Sequence, residues 1–104
     1  MTKNLNSLLK QAQQMQQKMT ILQKELETRE IEVSSGGGMI KIKINGKQQI
    51  LGLKINKECV DVNDMDTLED LLKTSINQAV KDSQEMVSQA MSKVTGGMSI
   101  PGLF

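Results

Sequence analysis

Lysine is the one side chain present here in the number and grouping that chemistry needs, and its chemistry is the attraction of anions. The 104 residues hold 13 Lys+Arg against 12 Asp+Glu, and Arg29 is the one arginine. Net charge is only +1, but the charges are segregated along the chain. Residues 1–24 carry Lys3, Lys10, Lys18 and Lys24 with no acid, and four glutamates with Arg29 occupy residues 25–32. Lys41, Lys43, Lys47, Lys54 and Lys57 follow over 39–57, again without an acid, and then six acids without a base over 58–70. Lys73, Lys81 and Lys93 stand against Asp82 and Glu85 in the remainder. Blocks of this kind can give a near-neutral chain a strong local positive field, although ordinary solvated faces share the pattern.

The same inventory excludes most catalysis. With no histidine and a single cysteine, Cys59, the chain has no His/Cys zinc site, no Ser-His-Asp or Cys-His set and no internal disulfide. The run from Ser34 to Gly38 lacks the Gly-Lys-Ser/Thr ending of a phosphate-binding loop and reads as a turn. Asp61, Asp64 and Asp66 lack the glycine and terminal glutamate of an EF-hand and read as an acidic lead into a helix. Cys59 lies beside Glu58 and Asp61, surroundings that discourage a thiolate. We therefore expect no catalytic residue, cofactor, metal or small-molecule substrate. Phe104 is the sole aromatic, so a base-stacking platform for single strands is absent as well.

The lysines must be positioned by a small set of elements. Leu5, Leu8, Ala12, Met15, Met19, Leu22 and Leu26 alternate spacings of three and four, which predicts a helix from about Asn4 to Thr28 with a heptad seam. Leu9 and Ile21 widen the stripe. Such a helix is roughly 37 Å long and buries nothing alone, so its seam needs a partner. After Arg29 the period falls to two. Ile31 and Val33 alternate with Glu30 and Glu32, and beyond the glycines Ile40, Ile42 and Ile44 alternate with Met39, Lys41 and Lys43. Asn45-Gly46 predicts a two-residue type I′ hairpin turn, pairing Ile44 with Lys47, Ile42 with Gln49 and Ile40 with Leu51. Leu51, Leu53 and Ile55 then join the isoleucine face, and Gln49 sits awkwardly on it. Asp66-Thr67-Leu68-Glu69 reads as the capped start of a second long helix, which runs to about Thr95. Lys93 falls in its last turn and Gly96-Gly97 stop it.

The expected architecture is α+β: α-β-β-β-α, a three-stranded antiparallel meander flanked by two long helices. Residues 1–97 form one domain, and 98–104 form a short apolar tail containing Pro101, the only proline. No apolar run is long enough to span a membrane and no signal peptide is visible, so a cytoplasmic location is expected. If the helices pack antiparallel, their free end carries Lys3 and Lys10 beside Lys93, with the acids of 25–32 and 58–70 near the sheet.

LLKQAQQMQQKM near the start, the glycine break before a strand ending in ING, GLKIN, LEDLLKTSINQAVKDS and the closing GGMSIPGLF follow one another over nearly the whole chain. In that order and spacing they resemble the YbaB/EbfC family of nucleoid-associated proteins. The resemblance implies a tweezers-like cytoplasmic homodimer, its sheets joined at the centre and its helices projecting, that binds double-stranded DNA in the nucleoid without enzymatic activity. It transfers no individual contact. Lysine chemistry nominates Lys3, Lys10, Lys18, Lys81 and Lys93 for phosphate contacts, with Lys41, Lys43 and Lys54 on the outer sheet face as a second choice. One arginine and no stacking aromatic make base reading poor; Gln11, Gln13, Gln14, Gln16 and Gln17 read first as a polar helix face. The alternative is a prefoldin-like or adaptor module that grips other proteins, with Met15, Met19, Met86 and Met91 lining an adaptable groove.

Overall fold

The computed structural model describes residues 2–94, with side chains from residue 4 onward. Helix α1 spans Thr2–Thr28, strands β1, β2 and β3 span Glu30–Ser35, Ile40–Asn45 and Ile50–Ile55, and helix α2 spans Met65–Val94. A single turn of 3-10 helix, Lys57–Cys59, precedes α2. The strands form an antiparallel sheet in the order β1-β2-β3. The expected α-β-β-β-α plan is therefore the observed one. The predicted stop at Gly96-Gly97 and the tail lie outside the described residues.

Burial follows the alternation of β2. Ile40, Ile42 and Ile44 are fully buried while Lys41 and Lys43 are exposed on the other face. Val33 of β1 and Ala79 of α2 complete the central cluster, with Leu71, Leu72, Ile76 and Val80 packed around it. Helix α2 lies across β1 and β2 and makes little contact with β3.

The hairpin between β2 and β3 corrects the expected register. Ile40 stands opposite Ile55, Ile42 opposite Leu53 and Ile44 opposite Ile50, with a bulge between Lys43 and Ile44 that leaves Leu51 extra. The loop has three residues, Gly46-Lys47-Gln48, closed by Gln48 N–H to Asn45 O at 3.1 Å and Asn45 N–H to Gln49 O at 3.1 Å. Gln48, at φ 59°, takes the left-handed position that such a loop requires. Gln49 is thereby moved off the isoleucine face and bonds the Asn45 amide through its Oε1 at 2.9 Å. The Asn45 Oδ1 in turn accepts from Lys47 N at 2.9 Å and Gln49 N at 3.1 Å, which holds the longer turn in place.

Gly46 serves a purpose other than a positive φ. A Cβ there would clash with the Leu26 carbonyl oxygen, so the end of α1 lies directly on the turn. Ser83 of α2 donates to Asn45 O at 2.6 Å from within the core, tying the same turn to the second helix. The three parts of the fold meet at this point.

Helix α2 also starts differently from expectation. Asp64, not Asp66, caps it: its carboxylate accepts from Thr67 N at 3.4 Å and Thr67 Oγ1 at 2.7 Å. Asp61 accepts from Asn63 N at 2.9 Å in the turn before. These acids are occupied in chain geometry, and no group of acids, cysteine and histidine able to hold a metal occurs among the described residues.

Candidate nucleic-acid interface

The two helices pack antiparallel, as the seam requires. Leu26 is buried beside Gly46 and Val87, and Leu22 shares a groove with Met86, Ala90 and Val94. Arg29, Asp82, Glu85, Gln89 and Lys93 rim this groove, an open space of about 580 Å³. Contact between the helices ends there. Every described α1 side chain from residue 4 to residue 18 is exposed, so more than half of the helix projects past the end of described α2. The described molecule is accordingly long, 74 × 21 × 17 Å.

This offset rearranges the expected lysine cluster. Lys93 lies at the level of Leu22, and Lys10 is a further twelve residues out, about 18 Å along the axis. The helix neighbour of Lys93 is thus the Lys18 end of α1; Lys10 stands well beyond it. Lys3 falls within the helix, and its side chain lies outside the described residues. Lys81 is exposed on α2 between buried Ala79 and Ser83, about 18 Å from Lys93 towards the sheet. The helical lysines are therefore spread along the length of the two helices rather than gathered at a tip.

Charge pairing separates the lysines further. Among the described residues Lys47 pairs with Glu27 at 3.6 Å and Lys43 approaches Glu30 at 4.0 Å. Lys10, Lys18, Lys81 and Lys93 are exposed, with no carboxylate of the described residues within ion-pair distance. On the outer sheet face Lys41 stands directly opposite Lys54, two like charges that repel each other across the strand pair. Glu32, opposite Lys43, and Glu30 dilute that face. Cys59 donates its S–H to Asn56 O at 3.0 Å and packs against the core.

A sequence model of the YbaB/EbfC DNA-binding family matches residues 1–98. The chain belongs to the YbaB/EbfC family. It is 45% identical over 101 residues to the nucleoid-associated protein Teth39_2199 of Thermoanaerobacter pseudethanolicus, covering 97% of this chain and 91% of that relative. To a nucleoid-associated protein of Desulforamulus reducens it is 48% identical, covering 97% and 96% of the two chains. Its fold resembles the crystal structure of an uncharacterized protein, HP0035, from Helicobacter pylori, with TM-score 0.68, 22% identity and coverage of 88% and 94%. Membership of a DNA-binding family agrees with the expectation that the chain is not an enzyme. Among the described residues no helix is long and apolar enough to cross a membrane.

Proposed function

We propose that this chain is a nucleoid protein that binds double-stranded DNA as a homodimer, through lysine–phosphate contacts made along its helical arms. The observation that carries this reading is the set of exposed lysines without acid partners among the described residues, Lys10, Lys18, Lys93 and Lys81, distributed over both helices. Lys3 adds a further cation to α1 by its position in the sequence. A lysine ammonium attracts phosphate as a point charge, and counterion release then supplies affinity that does not depend on sequence. Lys41 and Lys54 are the second choice, because neighbouring glutamates lower the field of the sheet face.

The sheet supports self-association. β3 is an edge strand, and Ile50, Leu51, Leu53 and Ile55 remain 39–49% exposed because α2 does not cover them. Val60 and Val62 in the following connection and Met65 at the start of α2 add to the bare apolar surface. An apolar edge of this kind is a template for another strand and an aggregation hazard when left open. A second copy on the β3 side removes the hazard and places two arms on one particle. Cytoplasmic residence in the nucleoid follows from the ligand.

Titrating binding to a random-sequence duplex against salt tests the reading. Three lysines per subunit in a dimer give a log–log slope of about −5. Binding that ignores salt would defeat it, as would a preference for unfolded protein clients over duplex.

A further inference from the structure

Nearly opposite its apolar seam, α1 carries a second seam of polar residues. Asn6, Lys10, Gln13, Gln17, Thr20 and Lys24 follow one another at alternating spacings of four and three, which sets them along one face of the helix. All six are exposed, while the apolar line ends in buried Leu26. A helix face that only meets water commonly interleaves lysines with acids at i,i+4. Residues 1–24 hold no acid, and on this face amides stand in that place. We propose that this face enters the major groove of the duplex and that Gln13 and Gln17 read adenine there, so that the protein prefers A·T pairs. The inference rests on the duplex binding proposed above and names what that surface reads.

The chemistry of the amide fits adenine. Glutamine Oε1 accepts from adenine N6–H while Nε2 donates to adenine N7. Guanine offers acceptors at both O6 and N7, so the glutamine oxygen is left without a donor. Gln13 and Gln17 are about 6 Å apart along the axis, close to two base-pair steps of about 3.4 Å. Lys10 and Lys24 bracket them at a separation of about 21 Å, each with no carboxylate of the described residues within ion-pair distance. They are positioned to hold phosphates on either side of the bases being read. A helix with its side chains is about 10–12 Å across, and the major groove is about 12 Å wide. From residue 4 to residue 18 every described side chain of α1 is exposed, so the described fold leaves that stretch clear.

Ile21 is an independent sign. Expected to widen the apolar stripe, it is instead 60% exposed and shares an open hollow with Gln13, Gln16, Gln17 and Thr20. Thr20 turns its hydroxyl back to Gln16 O at 2.9 Å, which spends the polar end of that side chain on the helix itself. Apolar groups beside amides that read adenine match the methyl of thymine, which the major groove exposes in the same base pair.

Competition binding with the full chain tests the assignment. An A·T duplex should bind at least about fivefold more tightly than a G·C duplex of equal length at the same salt. Replacing adenine by 7-deazaadenine removes the N7 acceptor and keeps the base pairing, so it should cost the native chain most of that preference. Gln13→Ala with Gln17→Ala, two exposed changes to a better helix former, should keep full helicity and bind the adenine and 7-deazaadenine duplexes equally. A native chain that binds A·T and G·C duplexes equally would overturn the inference. So would a preference that survives 7-deazaadenine, or one that survives the two alanines. The native salt slope reports the lysine–phosphate reading separately: salt-dependent binding without an A·T preference sinks this inference alone, whereas failure to bind any duplex sinks both.

Discussion

Gly46 shows how a residue correctly singled out in the sequence can be there for another reason. Asn45-Gly46 marks a hairpin, and a hairpin is found, but the glycine is needed because the Leu26 carbonyl occupies the space of a Cβ. That contact joins residues twenty apart and leaves no local signal. Gly46→Ala should therefore cost about 2–3 kcal/mol in urea unfolding, well above an ordinary surface change. Beside it, Ser83→Ala removes the 2.6 Å bond to Asn45 O and should cost about 1 kcal/mol, since that carbonyl keeps its bond from Gln48 N. The lysines were legible individually as exposed cations. Their freedom from acids was not, because Glu27 and Glu30 reach Lys47 and Lys43 only through the fold.

At the scale of elements, period and composition identified both helices and all three strands, since the 3.5 and 2.0 repeats are imposed by burial itself. Register and caps depend on finer competition. The two-residue turn lost to a three-residue loop because Asn45 Oδ1 captures two backbone amides and Gln48 accepts a left-handed conformation. The longer loop also relieves Gln49 of a place among the isoleucines. The helix cap moved from Asp66 to Asp64 for a similar local reason, the bond to Thr67 Oγ1. Asp64→Ala should lower stability by about 1 kcal/mol, and Asp66→Ala by less, as Asp66 acts only on the helix dipole. Thermal unfolding of the two variants side by side separates the assignments. Leu26→Ala, which empties a buried position between α1, the turn and Val87, should cost about 2–5 kcal/mol.

The whole molecule is governed by an offset that no window of sequence contains. Helix α1 starts well beyond the described end of α2, so lysines expected to meet at one tip are instead spread along the two helices. β3, read as part of the core strand set, lies outside the cover of α2 and keeps its apolar side chains half exposed. In the proposed dimer a second copy joined at β3 covers that edge and enlarges a thin core. Leu53→Asp with Ile55→Asp should shift the sedimentation mass from dimer to monomer at low micromolar concentration while helicity persists. DNA affinity should fall with it, because each monomer offers half the phosphate contacts. A dimer of unchanged mass would place the self-contact elsewhere.

Salt-dependent binding to a random-sequence duplex, for the native chain and for one carrying Lys10→Gln, Lys18→Gln and Lys93→Gln, probes these lysines most directly. The native dimer should show a slope of about −5, and the substituted dimer should lose most of that slope and bind all sequences uniformly more weakly. A native slope near zero, or two chains with the same slope and affinity, would contradict the assignment of these lysines to phosphate.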